Sequence, residues 1–193
     1  MVLATVFLHY RAKSLAEIDF RISYPTVPVA VTKAVREAEA SYYESRGWLR
    51  KTAEEAEDIL TFFWPPLVTA LDLSVGPYRI KASTLEELLP WAVSEGYLTI
   101  VDVEHRKALQ SISYFSEQPA LADWGAAIIL ESLRSRHPVL KDMDWSVIAN
   151  DLSLIAKLYS GYMGAGGDWD GWKATLEPGP EAKRRMGIKA TAE

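Results

Sequence analysis

The stretch that decides the fold runs from Asp144 to Met163, DWSVIANDLSLIAKLYSGYM. Ile148, Leu152, Ile155, Tyr159 and Tyr162 recur at the three- and four-residue spacing that lines up one face of an α-helix. Val147, Leu154 and Leu158 widen that stripe, as a helix buried over much of its circumference requires. The spacing predicts one long helix over 144–163, with Asp144 as its N-cap. Directly after it comes GAGGDWDGW, Gly164 to Trp172. Glycine is costly inside a helix and tolerates positive φ, so the chain must leave the helix here and form a shaped loop.

Working outward, a second helix is predicted from Ala120 to Arg136, with Leu121, Trp124, Ala127, Ile128 and Leu133 facing inward and Pro138 ending it. Arg134, Arg136 and His137 sit at its C-terminal end, where cations complement the helix dipole. Upstream, Val31, Val35, Ala38 and Tyr42 mark an amphipathic helix opened by Pro28 and finished near Gly47. Thr52-Ala-Glu-Glu55 and Thr84-Leu-Glu-Glu87 read as capping boxes. The first opens an apolar run to Val75, interrupted by Pro65-Pro66; the second opens a helix ending at Gly96. Residues 2–8 and Tyr78–Lys81 read as short strands. Tyr97–Val103 suits a strand or the approach to a helix. Past the loop, Trp172–Leu176 adds one helical turn, and Glu181–Met186 a short basic helix after Pro178-Gly-Pro180. These elements predict a mainly α, single domain over 1–193, with about six helices and a minor N-terminal β element. Residues 28–163 form its helical part, with a core of helices 52–75, 120–136 and 144–163. Residues 164–193 hold the Gly/Trp loop and a short C-terminal helical segment.

The bulk numbers bound the function. The chain has 193 residues, 49% apolar and 24% charged, the balance of a folded domain with one sizeable core. Its net charge of −5 argues against non-specific nucleic-acid binding. Cysteine is absent, which excludes disulfides, thiolate metal sites and a cysteine nucleophile. The apolar start, MVLATVFL, has its positive residues after it, the wrong order for a secretory signal, and no run is long enough to span a bilayer. The expected address is the cytoplasm. Asn150, Gln110 and Gln118 are the chain's only side-chain amides, which suits a GC-rich bacterial or a thermophilic source.

The loop Gly161–Trp172 is the one segment with candidate chemistry. It fails the dinucleotide fingerprint, because Trp169 stands where the third glycine belongs. Lys173 and Ala174 break the P-loop pattern. Asp168-Trp-Asp170-Gly171 resembles a fragment of a calcium loop, with Gly166 in place of an acid and Glu177 too close. His105, near Asp102, has no further metal ligand close in sequence. No cofactor, metal or catalytic residue is therefore expected. The candidate binding residues are Tyr162, Asp168, Trp169, Asp170 and Trp172, rings and acids of a kind that anchor partners. The bland alternative has Trp169 and Trp172 plugging the end of the helices. From these residues the expected function is a non-enzymatic interaction protein with a protein partner, concretely an immunity or antitoxin-type inhibitor. The alternative is a small hydrolase or transferase in which Asp168, Asp170, Tyr162 and His105 converge. A third reading has the basic tail Lys183–Arg185 docking on an acidic neighbour. The oligomeric state is open.

Overall fold

The computed structural model describes residues 20–45, 47, 52, 55–56, 70–100 and 119–189. The expected strand over 2–8, His105 and nearly all of the expected helix from Thr52 lie outside them. Among the described residues the fold is mainly α, with seven helices and four short strands. The chain divides into two units, Met1–Ser23 with Trp48–Gly125, and Tyr24–Gly47 with Ala126–Glu193.

In the first unit, β1 (Phe20–Ile22) pairs antiparallel with β4 (Leu98–Ile100), Arg21 opposite Thr99. The strand option for Tyr97–Val103 is therefore the correct one as far as Ile100. A second ribbon joins β2 (Ser74–Val75) to β3 (Ile80–Lys81). This corrects the expectation of helix through Val75: Gly76 and Arg79, both at positive φ, turn the chain back on itself. Helix α2 (Ala82–Ser94) starts ahead of the expected capping box. Its cap comes from further back in the chain, because the Asp72 carboxylate accepts the Ser83 amide at 3.0 Å. That leaves Thr84 inside the first turn. Leu85, Leu88, Leu89 and Ala92 form the buried stripe of α2. Within this unit the Trp124 indole donates to the Ser23 carbonyl at 3.1 Å, and the Tyr78 hydroxyl to Asp123 at 2.6 Å.

Helix α1 (Val29–Glu44) opens the second unit, buries Val31, Val35 and Ala38, and follows Pro28 as expected. Helix α3 (Pro119–Arg136) belongs to this unit from Ala126 onward. Every residue from Ala126 to Leu133 is buried, including Glu131 and Ser132. Glu131 is satisfied by Arg134 at 2.7 Å and by the Trp145 indole at 2.7 Å. The single helix expected over 144–163 is two, α4 (Trp145–Ala149) and α5 (Leu152–Tyr162). Asp151 breaks it. Its carboxylate accepts the amides of Ser153 at 2.8 Å and Leu154 at 3.3 Å, a cap that a residue in mid-helix cannot make. Asp144 occupies the N-cap position of α4 but makes no side-chain cap. A 3₁₀ turn at Ala165–Gly167 then leads into α6 (Trp169–Ala174), and α7 (Pro180–Arg185) closes the described chain.

Candidate functional site

The site lies within the second unit, where α5, the glycine loop, α6 and the segment 175–185 enclose a cavity of about 440 Å³. Its construction begins at Gly161. A Cβ there would stand 2.8 Å from the Trp172 ring and 2.9 Å from Leu133. The missing side chain is thus what lets the indole seat against α5. Gly164, Gly166 and Gly167 all take positive φ and bring the chain round to deliver that indole. Trp172 is 5% exposed, and its Nε1 donates to the Lys157 carbonyl at 2.9 Å.

His137 stands edge-on to the same ring, with centroids 4.9 Å apart. Its Nδ1 accepts the amides of Val139 and Leu140, both at 3.2 Å, so the ring proton is on Nε2, which donates to the Thr175 carbonyl at 3.1 Å. Burial pushes its pKa below the ordinary value, and the Lys157 charge acts in the same direction. His137 is a buried neutral hub joining two stretches of backbone, Val139–Leu140 and Thr175, which corrects the expectation of a cation at the end of a helix. Arg134 reaches past that end, donating to the carbonyls of Lys141 at 2.9 Å and Met143 at 3.1 Å in the following turn.

Lys157 is 1% exposed. Its ammonium donates to the Glu177 carbonyl at 3.2 Å and lies 5.3 Å from the Trp172 ring centroid. Burial lowers its pKa, and the Glu177 carboxylate partly opposes that. One turn on, the Ser160 hydroxyl accepts the Gly179 amide at 2.8 Å and fastens the 175–179 segment to α5.

The Tyr159 hydroxyl donates to Glu39 at 2.5 Å, and Arg185, which lines the cavity, reaches both, at 3.2 and 3.3 Å. Burial and the Glu39 charge raise the Tyr159 pKa, so the phenol stays protonated. The Arg185 guanidinium also lies 3.3 Å from the Tyr42 ring centroid. Hydrogen bonds from Arg184 and Arg185 hold the Glu181 pKa down to about 2. The three cations of Lys183–Arg185 have partners within this chain: Lys183 pairs with Glu177, Arg184 with Glu181, and Arg185 with Glu39 and Glu181.

The five candidate residues are brought to one end of this unit but have different fates. Trp172 is a core plug. Trp169 is 42% exposed, its ring edge-on to Trp172 at 5.8 Å. Of the two expected plugs, only Trp172 is one. Asp168 caps α6 by accepting the Gly171 amide at 2.8 Å, and remains exposed at the lining of the cavity. Asp170 is exposed in the first turn of α6, where an acid suits the helix dipole. Tyr162 is half-buried, 6.1 Å from the Tyr159 ring. Lys157, Glu177 and Arg185 line the cavity and were not among the expected residues. Lys157 carried a legible signal, as a lone charge in the apolar run Leu154–Tyr159. Glu177 carried none, and Arg185 showed only as part of the basic tail, since Glu39 and Tyr159, which fix its place, lie on other elements. No group of three His, Asp or Glu suited to a metal ion occurs among the described residues. No protein-family model matches the chain, and neither a curated protein nor a solved structure is significantly similar to it.

Proposed function

We propose that this chain is a non-enzymatic interaction protein that engages a protein partner through the rim of its glycine loop. The observation that carries this reading is the contrast between the two indoles. Trp172 is consumed by the core, while Trp169, in ring contact with it, stays 42% exposed beside exposed Asp168 and Asp170. An aromatic ring held on a rigid plug and flanked by acids is a preorganised anchor for a basic partner. The concrete form we favour is an inhibitor of immunity or antitoxin type, acting in the cytoplasm. Among the described residues no helix is long and apolar enough to cross a membrane.

The test is affinity capture from the source cell with the full chain as bait. A stoichiometric partner should be retained, and lost with Trp169→Ala combined with Asp170→Lys, while the melting curve of the double variant matches that of the parent. Retention of the partner by the double variant, or no partner at all, refutes the reading. The alternative, a small hydrolase or transferase worked from the same loop, has in its favour the cavity beside Asp168. Turnover of simple ester or phosphoester substrates by the purified chain, lost in Asp168→Asn, is the result that would favour it.

A further inference from the structure

The charges that line the cavity are paired off except for two. Glu181 is held by Arg184 and Arg185, Arg185 also by Glu39, and Glu177 by Lys183. Lys157 and Asp168 have no ion-pair partner among the described residues. They differ in depth. Lys157 is 1% exposed, and its ammonium has one hydrogen-bond acceptor, the neutral Glu177 carbonyl, beside the Trp172 ring and the more distant Glu177 carboxylate. Asp168 is at the surface, and only its Oδ1 is engaged, by the Gly171 amide. A buried cation held by a neutral carbonyl is costly, and a carboxylate is the acceptor that relieves the cost. The same lining includes Met163, Trp172, Pro180 and Ala182, which suit an apolar side chain. A volume of about 440 Å³ falls within the usual span of small-molecule sites, roughly 300–1,000 Å³.

We infer that this cavity binds a small zwitterion of the amino-acid class, its carboxylate inward at Lys157 and its ammonium outward at Asp168. A simple anion answers only the inner charge and a simple cation only the outer one. Because so little of Lys157 is reached by solvent, the ligand carboxylate takes the place now held by the Glu177 carbonyl. The 175–179 backbone gives way as it does so, exchanging a neutral hydrogen bond for a charge-assisted one.

Isothermal titration calorimetry of the full chain with each standard L-amino acid, at millimolar concentration, tests this. At least one should bind. Its amide, which lacks the carboxylate, and its N-acetyl derivative, which lacks the ammonium, should each bind at least about tenfold more weakly. Asp168→Asn keeps an oxygen to cap α6 and removes only the charge, so it should weaken binding to a similar degree. Lys157→Met should do the same. If that variant does not fold, Asp168→Asn and the two derivatives decide. Trp169 does not line the cavity, and Trp169→Ala should bind the amino acid like the parent, which separates this site from the partner-binding rim. Absence of binding by any amino acid overturns the inference. So does a derivative, or Asp168→Asn, that binds as tightly as the parent pair.

Discussion

At the scale of single residues, the cap of the second unit depends on one side chain that is present and one that is absent. Trp172→Ala should cost about 3–5 kcal/mol in urea denaturation, the usual range for truncating a buried aromatic. Trp169→Ala should stay within about 0.5 kcal/mol, as exposed positions do. Equal losses would mean that Trp169 shares the plugging role. Gly161→Ala raises helix propensity by up to about 1 kcal/mol. It also sets a methyl 2.8 Å from the Trp172 ring and 2.9 Å from Leu133. Overpacking of this kind costs about 1–3 kcal/mol, so the variant should be less stable than the parent by the same measurement. His137 adds a pH dependence. Its folded pKa lies below the ordinary 6.5, so the unfolded chain takes up a proton before the folded one does. The stability it contributes is present above the unfolded value and is lost as pH falls through the folded value. Urea midpoints should therefore decline between about pH 7 and pH 5. His137→Asn keeps an acceptor for the Val139 and Leu140 amides and removes the titration. Its overall stability should be lower, and its decline over that window shallower.

At the scale of elements, the break within 144–163 gives a clean comparison of two aspartates. Asp151→Ala removes a cap with two amide contacts and should cost about 1 kcal/mol in thermal or urea melts. Asp144→Ala removes no side-chain cap and should cost much less. The same pair shows how much was legible in the sequence. Helical periodicity survives a capped break in part: Ile148 of α4 and Leu154, Ile155, Leu158 and Tyr159 of α5 are buried, whereas Val147 and Leu152, which flank the interruption and were expected inward, are exposed. Asp151 was the available signal, an N-capping residue placed in mid-stripe. Helix α2 failed in the opposite sense. Its capping-box pattern marked the right stretch, but the helix begins ahead of it at Ala82 and takes its cap from Asp72, at positive φ beyond a β-turn ribbon, which local spacing cannot report. For the site, the glycine loop and its indoles stood out by composition. The charges around the cavity stood out less, since the contacts that place Lys157 and Arg185, with the Glu177 carbonyl and with Glu39, are distant in sequence.

At the scale of the whole molecule, two units are described, and the second is held together by its last helix. Arg185 joins α7 to Glu39 on α1 and Tyr159 on α5, with side-chain exposures of 13% for Arg185 and 9% for Glu39. Removing Arg185 takes the cation away from a buried carboxylate that keeps its hydrogen bond from Tyr159. Arg185→Met should thus destabilise by about 3–5 kcal/mol, against near-neutrality for Arg184→Met at the exposed pair with Glu181. Limited proteolysis of the two variants would separate them, with rapid cleavage expected only in the first. The bare notch at Gly161 has a further effect on how this unit comes to be. The indole that fills it belongs to the same short stretch of chain, so little entropy is lost in closing the intervening loop. That docking needs no distant segment, and local contacts of this type form fast. A refolding chain can thus seat the plug before α1 docks, giving the remaining helices a finished surface on which to condense.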